Sequence, residues 1–439
     1  MLVDFTVENY RSIKEPVTLS AVAQKQSTRQ KSQNSKRTRV KLDHEITPGY
    51  HLEGWDIDIL PVLAIFGANA SGKSNVIQAL DYLLLMMKGG IQKTAIMQKI
   101  LKYAKLDPFK LDNISENKPT KFELKTIFNN NIYTYSLVLN QKHVVLEKLE
   151  YAISRTKRTR RLFSRHWDEA SKEFIWKTGD NFSGSHNQLQ KNIRENELFI
   201  STLINLKVDK IASLIQWLEK QWPGGIHLGD EQIDLRFLAA LHNANDKPYK
   251  KVIKDTLEII KKFDTGLSDI KIEKKSDEDF SINIYAIHDN ADGKTVVWSF
   301  TEESLGTQRL FSFASRIVFY LEIGGLMIID ELGTNLHPNI IHNIIKIFQN
   351  PKTNPKNAQL IFTSHDNTLQ RNNLLRRDQI WFTQKRPDQS TELYPLTDFH
   401  VRNDLAIDKA YLDGRFGAVP FLPSNEEMIL QGDEQCQDS

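Results

Sequence analysis

Apolar and polar positions alternate through "LVDFTVENYRSI" at the start of the chain, the pattern of a strand hairpin at a sheet edge, and "VTLSAVAQ" continues it. The pattern stops between Lys25 and Lys41, a polar stretch that reads as a loop. Pro61 to Phe66 is a continuous apolar run, as a strand buried on both faces requires, and the spacing from Asn75 to Leu80 opens an amphipathic helix. "KFELKTIF", "IYTYSLVLN" and "KLEYAISR" then alternate as antiparallel strands, with Asn129, Asn130 and Asn131 at one turn. Over residues 188–265 the period becomes helical, in "ELFISTLINLKVDKIASLIQWLEKQW" and "PYKKVIKDTLEIIKKF". Strands return in "DIKIEKK", "DFSINIYAIHD" and "KTVVWSFT", the last two joined across Asn290 to Gly293. The helix "RLFSFASRIVFYLEI", the strand "LMIIDE", the helix "PNIIHNIIKIF" and the strand "LIFTSHD" complete the pattern. There is no internal repeat, and no heptad run long enough for a coiled-coil arm.

Composition narrows the class. At 439 residues, with 40% hydrophobic and 26% charged, the chain has the makeup of a soluble globular protein with room for several domains or one core with large insertions. No apolar run is long enough to cross a bilayer; Ile317 to Ile329 comes nearest and contains Glu322. The first residues carry acids where a signal peptide would be basic and then apolar, and the single cysteine, Cys436, forbids an internal disulfide. A cytoplasmic, reduced protein with no membrane partner is expected.

The net charge of +3 is small, but it is unevenly spread. Between Glu15 and Asp43 there is no acid, while Lys25, Arg29, Lys31, Lys36, Arg37, Arg39 and Lys41 fall in that window. Arg155, Lys157, Arg158, Arg160, Arg161 and Arg165 form a second basic cluster, and the tail from Glu426 to Asp438 is acidic. Nucleic acid is one partner the basic clusters suit. A solvated hairpin tip and a solubilising loop are the other reading, favoured because stacking aromatics are not interleaved with them.

The chemistry gathers at "FGANASGKSN", which fits G-x-x-x-x-G-K-[ST] between a strand and a helix. Gly67 and Gly72 let the backbone turn so that amide groups face phosphates, Lys73 reaches the β- and γ-phosphates, and Ser74 ligates Mg²⁺. The nucleotide-binding set is Gly67, Asn69, Ala70, Ser71, Gly72, Lys73, Ser74 and Asn75. "LMIIDE" ends a buried strand in two acids: Asp330 to hold Mg²⁺ through water, Glu331 to orient or deprotonate the attacking water. "ESLGTQ" places Ser304, Gly306, Thr307 and Gln308 at a helix N-terminus, which suits a second phosphate contact; taken alone, Ser304 is as readily an ordinary N-cap. "LIFTSHD" delivers His365 at a strand tip, where it can sense the γ-phosphate.

Together these segments resemble the ABC-type ATPases, with "GANASGKS" as Walker A, "SLGTQ" as signature, "LMIIDE" as Walker B, "LGTNLHP" as D-loop and "TSHD" as the switch histidine. The fold implied is α/β: an ABC-type P-loop ATPase head, a mixed sheet with an antiparallel β subdomain, and a helical insertion. Its parts would be residues 1–187 as the first part of the head, 188–265 as the insertion, 266–400 as the second part, and 401–439 as a C-terminal extension with an acidic tail. The long separation of Gly67 from Ser304 points to the soluble branch of these ATPases and away from transporter subunits. The resemblance implies ATP and Mg²⁺, and a homodimer or higher oligomer in which the signature acts in trans on ATP held by the other Walker A.

Within that branch "FTVENYRSIKEPVTLS" and "YLDGRFGAVPFL" resemble the opening and closing segments of the RloA and AbiL type of bacterial anti-phage ATPase, related to the overcoming-lysogenization-defect proteins. This implies a sensor or regulatory subunit that controls a separate, nuclease-like effector protein. A soluble DNA-repair or chromosome-maintenance ATPase is the alternative, disfavoured by the lack of long arms. A nuclease in its own right is disfavoured because few residues follow His365 and they hold no Asp-x-Asp pair; Asp404 and Asp408 read as helix decoration. Phe416, Val419 and Phe421 offer either a docking strip for the effector or packing against the head.

Overall fold

The computed structural model describes residues 1–24, 49–97, 105–179, 182, 186–220, 226–227, 247–262, 266–274, 282–333, 336–371, 374–402 and 405–420. The basic stretch from Lys25 to Lys41, Thr334 and Asn335, Asp404, Phe421, Cys436 and the acidic tail lie outside the described residues.

In chain order the first elements are β1 (Leu2–Glu8), β2 (Val17–Ser20), β3 (Tyr50–Leu52), β4 (Ile57–Ile59), β5 (Val62–Gly67), α1 (Lys73–Met97) and α2 (Asn113–Glu116). Then come β6 (Thr120–Phe128), β7 (Asn131–Leu139), β8 (Val144–Ile153), β9 (Arg160–Asp168), β10 (Glu173–Thr178), α3 (His186–Lys191), α4 (Phe199–Asn205), α5 (Ala212–Glu219) and β11 (Ile226–His227). The second half holds α6 (Lys247–Lys262), β12 (Asp269–Lys274), β13 (Ile282–Asp289), β14 (Thr295–Ser299), α7 (Leu305–Ile323), β15 (Leu326–Asp330) and α8 (Pro338–Gln349). It closes with β16 (Gln359–Thr363), β17 (Ile380–Lys385), β18 (Thr391–Pro395) and α9 (Ile407–Leu412).

Two large sheets organise these elements. A seven-stranded antiparallel sheet runs β10-β9-β8-β7-β6-β1-β2, and a six-stranded sheet runs β11-β15-β16-β5-β17-β18. The second is parallel except for β18, which returns antiparallel to β17. β5 is apolar throughout because both its faces are covered: Leu63 and Ile65 join the core beneath the antiparallel sheet, while Val62, Ala64 and Phe66 join the core under α7 and α8. β12, β13 and β14 form a third, antiparallel sheet. Among the described residues no helix is long and apolar enough to cross a membrane.

Folding decides four points that the local pattern left open or set otherwise. β1 is not an edge strand, since β2 pairs with it on one side and β6 on the other. α1 is not amphipathic along its middle: every residue from Ala79 to Met87 is buried, including Asp81, because the helix is wedged among the antiparallel sheet, α4 and α5. Arg165 leaves the basic cluster altogether; it is fully buried and pairs with Glu147 at 2.7 Å. Phe416 is core, stacked on Phe382 at 5.8 Å and edge-on to Phe399 at 5.3 Å, so packing against the head accounts for the described part of the closing segment. The β6–β7 turn keeps its expected form, with Asn129 and Asn130 both left-handed (φ 49° and 60°), as a tight two-residue hairpin turn requires.

Candidate functional site

The carboxyl ends of β5, β15 and β16 converge at one place, the usual position of a ligand in an open parallel sheet. There β5 ends at Gly67 and α1 begins at Lys73, and the turn between them takes positive φ at Gly67 (155°), Ala70 (60°) and Gly72 (104°). The two glycines are demanded by their neighbours. A Cβ on Gly67 would lie 2.4 Å from the Thr383 carbonyl oxygen, and one on Gly72 would lie 2.0 Å from Thr391 Oγ1.

Asn69 and Ala70 are exposed at the tip of the loop, whereas Ser71 is buried beneath it. Ser71 Oγ lies 2.7 Å from Thr383 Oγ1, and Thr391 Oγ1 donates to the Ser71 carbonyl at 2.9 Å. Ser12 Oγ and Thr391 Oγ1 are 2.7 Å apart, and Asn75 Nδ2 donates to Ser12 Oγ at 2.6 Å. The loop is thus clamped from outside by β17, β18 and the turn after β1.

Lys73 is buried, and its Nζ donates to the Gly67 and Ala68 carbonyls, both at 2.9 Å. Burial pushes its ammonium down to about 8, against the pull of Asp330 and Glu331. Ser74 Oγ donates to Asp330 Oδ1 at 3.0 Å. Thr363 Oγ1 donates to that same oxygen at 2.6 Å and accepts the Glu331 N–H at 2.7 Å. Glu331 stands exposed just past the end of β15 with φ 58°, an unusual backbone for a residue with a side chain, and the Thr363 hydroxyl and the Leu332 N–H to Thr363 carbonyl bond (2.8 Å) hold it there. His365 follows two residues after Thr363 with an exposed ring; partial desolvation and the Lys73 charge push its pKa down, while Glu331 and Asp330 oppose them.

The structure therefore brings Lys73, Ser74, Asp330, Glu331 and His365 to one sheet end. The stretch from Ser304 to Gln308 is a separate surface. Ser304 caps α7 by accepting the Thr307 N–H at 3.1 Å, and Gln308 Nε2 donates to the Glu303 carbonyl at 2.7 Å and the Thr301 carbonyl at 3.1 Å. Ser304, Leu305 and Gly306 are exposed. Glu303 beneath them is fixed by His288 Nε2 (2.6 Å) and Trp298 Nε1 (2.8 Å), whose rings stack at 4.2 Å.

A hydroxyl and a carboxylate in contact are the donors Mg²⁺ takes, because this small hard cation keeps much of its hydration and accepts few protein oxygens. Ser74 and Asp330 fit it. Four side chains around the site had no part in the sequence argument: Ser12, Thr363, Thr383 and Thr391. Ser12 and Thr363 lie inside segments singled out for other reasons, next to the opening hairpin and His365. Thr383 and Thr391 sit on β17 and β18, which carry no motif, and only strand neighbourhood reveals them.

No curated protein matches the chain. Among solved structures it is similar to the SMC head domain from Thermotoga maritima (TM-score 0.42, 11% identity, covering 90% of this chain and 98% of that one). It is also similar to an SMC head bound to the C-terminal winged-helix domain of ScpA (TM-score 0.45, 14% identity, covering 94% and 99%). The sheet order, the phosphate loop between β5 and α1 and the acids at the end of β15 are those of an α/β P-loop ATPase fold, consistent with an ABC-type head. The family model described as "AAA domain, putative AbiEii toxin, Type IV TA system" matches residues 62–371, from the first residue of β5 to just past His365, and the chain belongs to that family.

Proposed function

We propose that the protein binds and hydrolyses ATP as an ABC-type ATPase of the RloA and AbiL kind, and that it serves as the sensor or regulatory subunit of an anti-phage system, controlling a separate effector through ATP-dependent dimerisation. The observation that carries the hydrolytic part is the node at Asp330, where Ser74 and Thr363 converge on one carboxylate oxygen while Thr363 also holds the Glu331 backbone. The family description, a putative AbiEii toxin, supports a role in a growth-arrest or defence module.

In this scheme the loop amides and Lys73 receive the phosphates, and the lysine charge, costly where it is buried, is offset when the anion arrives. Ser74 and Asp330 are the residues that would hold Mg²⁺, which would supply positive charge to the phosphate oxygens. Glu331 accepts a proton from the attacking water, and His365 donates to the γ-phosphate side of the site. Ser304 and the amides at the start of α7 complete the site of a second copy, with ATP as the joint between them.

The test uses two variants. Lys73→Ala should lose ATP binding, and Glu331→Gln should bind ATP with near wild-type affinity yet release phosphate at least about a hundredfold more slowly, since only the water-activating group is gone. Wild-type turnover in Glu331→Gln refutes the assignment of Glu331, and unaltered ATP affinity in Lys73→Ala refutes the nucleotide site.

A further inference from the structure

The basic stretch around Arg158 has no stacking aromatics interleaved with it, but the sheet sets two beside it. Strand register sets Tyr133 opposite Tyr151, and Tyr151 opposite Arg160, so two tyrosines and an arginine stand in one row across β7, β8 and β9. The tyrosine rings are stacked, with centroids 6.4 Å apart and 28° between their planes. Tyr133 is buried and hydrogen-bonds to Ser213 of α5, whereas Tyr151 is half-buried. Both line a cavity of about 350 Å³ between the antiparallel sheet and α5, whose other walls include Leu162, Lys210 and Ser213.

Beside this cavity the β8–β9 turn exposes Arg155, Lys157, Arg158, Arg160 and Arg161. Among the described residues no ion pair joins any of these five to a carboxylate. Of the acids nearby, Glu150, opposite Arg161 in register, pairs with Lys148 at 3.0 Å, and Asp209 lines the cavity wall together with Lys210. A flat basic surface would attract any polyanion. An aromatic face recessed beside that surface adds a preference for a planar base free to leave its stack, with phosphates on either side.

We propose that this cleft binds single-stranded nucleic acid, with one base against Tyr151 and the flanking phosphates on Arg158 and Arg160. The site goes beyond the ATPase reading and lies on the other large sheet from β5 and its phosphate loop; it needs no ATP for its test.

Fluorescence anisotropy of labelled oligo-dT, oligo-U and a duplex of equal length, with the full chain free of nucleotide, decides the matter across a range of salt. The wild type should prefer either single strand to the duplex; comparison of oligo-dT with oligo-U tells DNA from RNA. Replacing Arg158 and Arg160 together by Gln should weaken binding and flatten the slope of log affinity against log salt by about 1.4, at ~0.7 for each phosphate no longer neutralised. Tyr151→Leu keeps an apolar side chain but removes the stacking face, and should weaken binding about tenfold with the salt slope unchanged, while Tyr151→Phe holds wild-type affinity. Ser213→Trp, which fills the cavity from α5, should weaken it to a similar degree and serves if Tyr151→Leu fails to fold. Equal affinity for the duplex, wild-type affinity in both Tyr151→Leu and Ser213→Trp, or no binding of any oligonucleotide would overturn the proposal, the second outcome leaving only a non-specific basic surface.

Discussion

Thr363 serves two neighbours with one hydroxyl: its proton goes to Asp330 Oδ1 and a lone pair takes the Glu331 N–H. The side chain is fully buried on β16, the strand between β5 and β15, so it can turn to nothing else. Loss of the hydroxyl leaves the Glu331 amide without that acceptor and removes one of the two hydroxyls that orient Asp330 Oδ1. Thr363→Val, nearly isosteric, should therefore keep ATP binding within a few fold and slow phosphate release by about ten- to a hundredfold, the usual cost of removing a group that orients a metal ligand. Thr363→Ser should restore most of the rate; a Val variant with unchanged turnover would show that the hydroxyl only fills space. Lys73 and Ser74 were legible because a phosphate loop needs those residue types at short, fixed spacings, and Asp330 and Glu331 because a buried apolar strand ends in them. Thr363 was not, because a threonine in an apolar strand is ordinary until its neighbours are known.

Glu147 shows the same principle among helices and strands. Its carboxylate accepts from Tyr135 OH (3.0 Å), from Arg165 Nε (2.8 Å), and from the Phe199 and Ile200 N–H groups (2.9 and 2.8 Å) that open α4. One buried acid on β8 thus joins β7, β9 and the helical segment, and Arg165 also donates to the Glu197 carbonyl. Glu147→Gln strips the charge opposing a buried guanidinium and should destabilise the fold by about 3–5 kcal/mol in urea unfolding, whereas replacing Glu147 and Arg165 together by Met should cost less. A second tie is acid-sensitive. Lys14 reaches Asp112 and Asp388, both at 3.1 Å, linking the turn after β1 to α2 and to the β17–β18 hairpin. Asp112 is held down to about 2, first by the Ser115 N–H and then by Lys14, and Asp388 to about 2, first by Ser390 and then by Lys14. Because both values are depressed, their stabilisation is full above an unfolded value near 3.8 and fades as pH falls toward 2. Lys14→Gln should lower the midpoint of thermal unfolding at neutral pH, and the gap from wild type should close near pH 2; a gap independent of pH would remove the ion pairs as its cause. The strands involved follow from apolar alternation, but alternation does not say that Arg165 faces inward while Arg160 and Arg161 face water. The register shift between Leu149 and Glu150, with Leu162 as the extra residue of β9, sets Arg161 opposite Glu150 on the other face from Arg165, while Arg160 is exposed as the first residue of the strand.

For the molecule as a whole, the proposed sandwich makes a demand on a second surface besides the phosphate loop. Ser304, Leu305 and Gly306 are exposed at the start of α7, and Leu305 keeps 59% of its area open to solvent. Glu331→Gln with ATP should approach twice the monomer mass in light scattering, and Ser304→Arg in that background should hold it at monomer mass by placing a bulky side chain where the phosphate would sit. A mass indifferent to ATP and to Ser304→Arg would end the dimer reading. Local chemistry alone set out the phosphate loop, the acids of "LMIIDE" and the sequence of strands and helices, because backbone preference, apolar period and phosphate chemistry each act over a few neighbouring residues. Long-range pairing decided the rest: that β16 lies between β5 and β15 and so brings Thr363 to Asp330, that Thr383 and Thr391 clamp the phosphate loop, that Phe416 is core, and that Tyr133, Tyr151 and Arg160 form one row. Strand order and register are chosen by the total burial and hydrogen bonding of segments hundreds of residues apart, and no short window of the chain contains that sum.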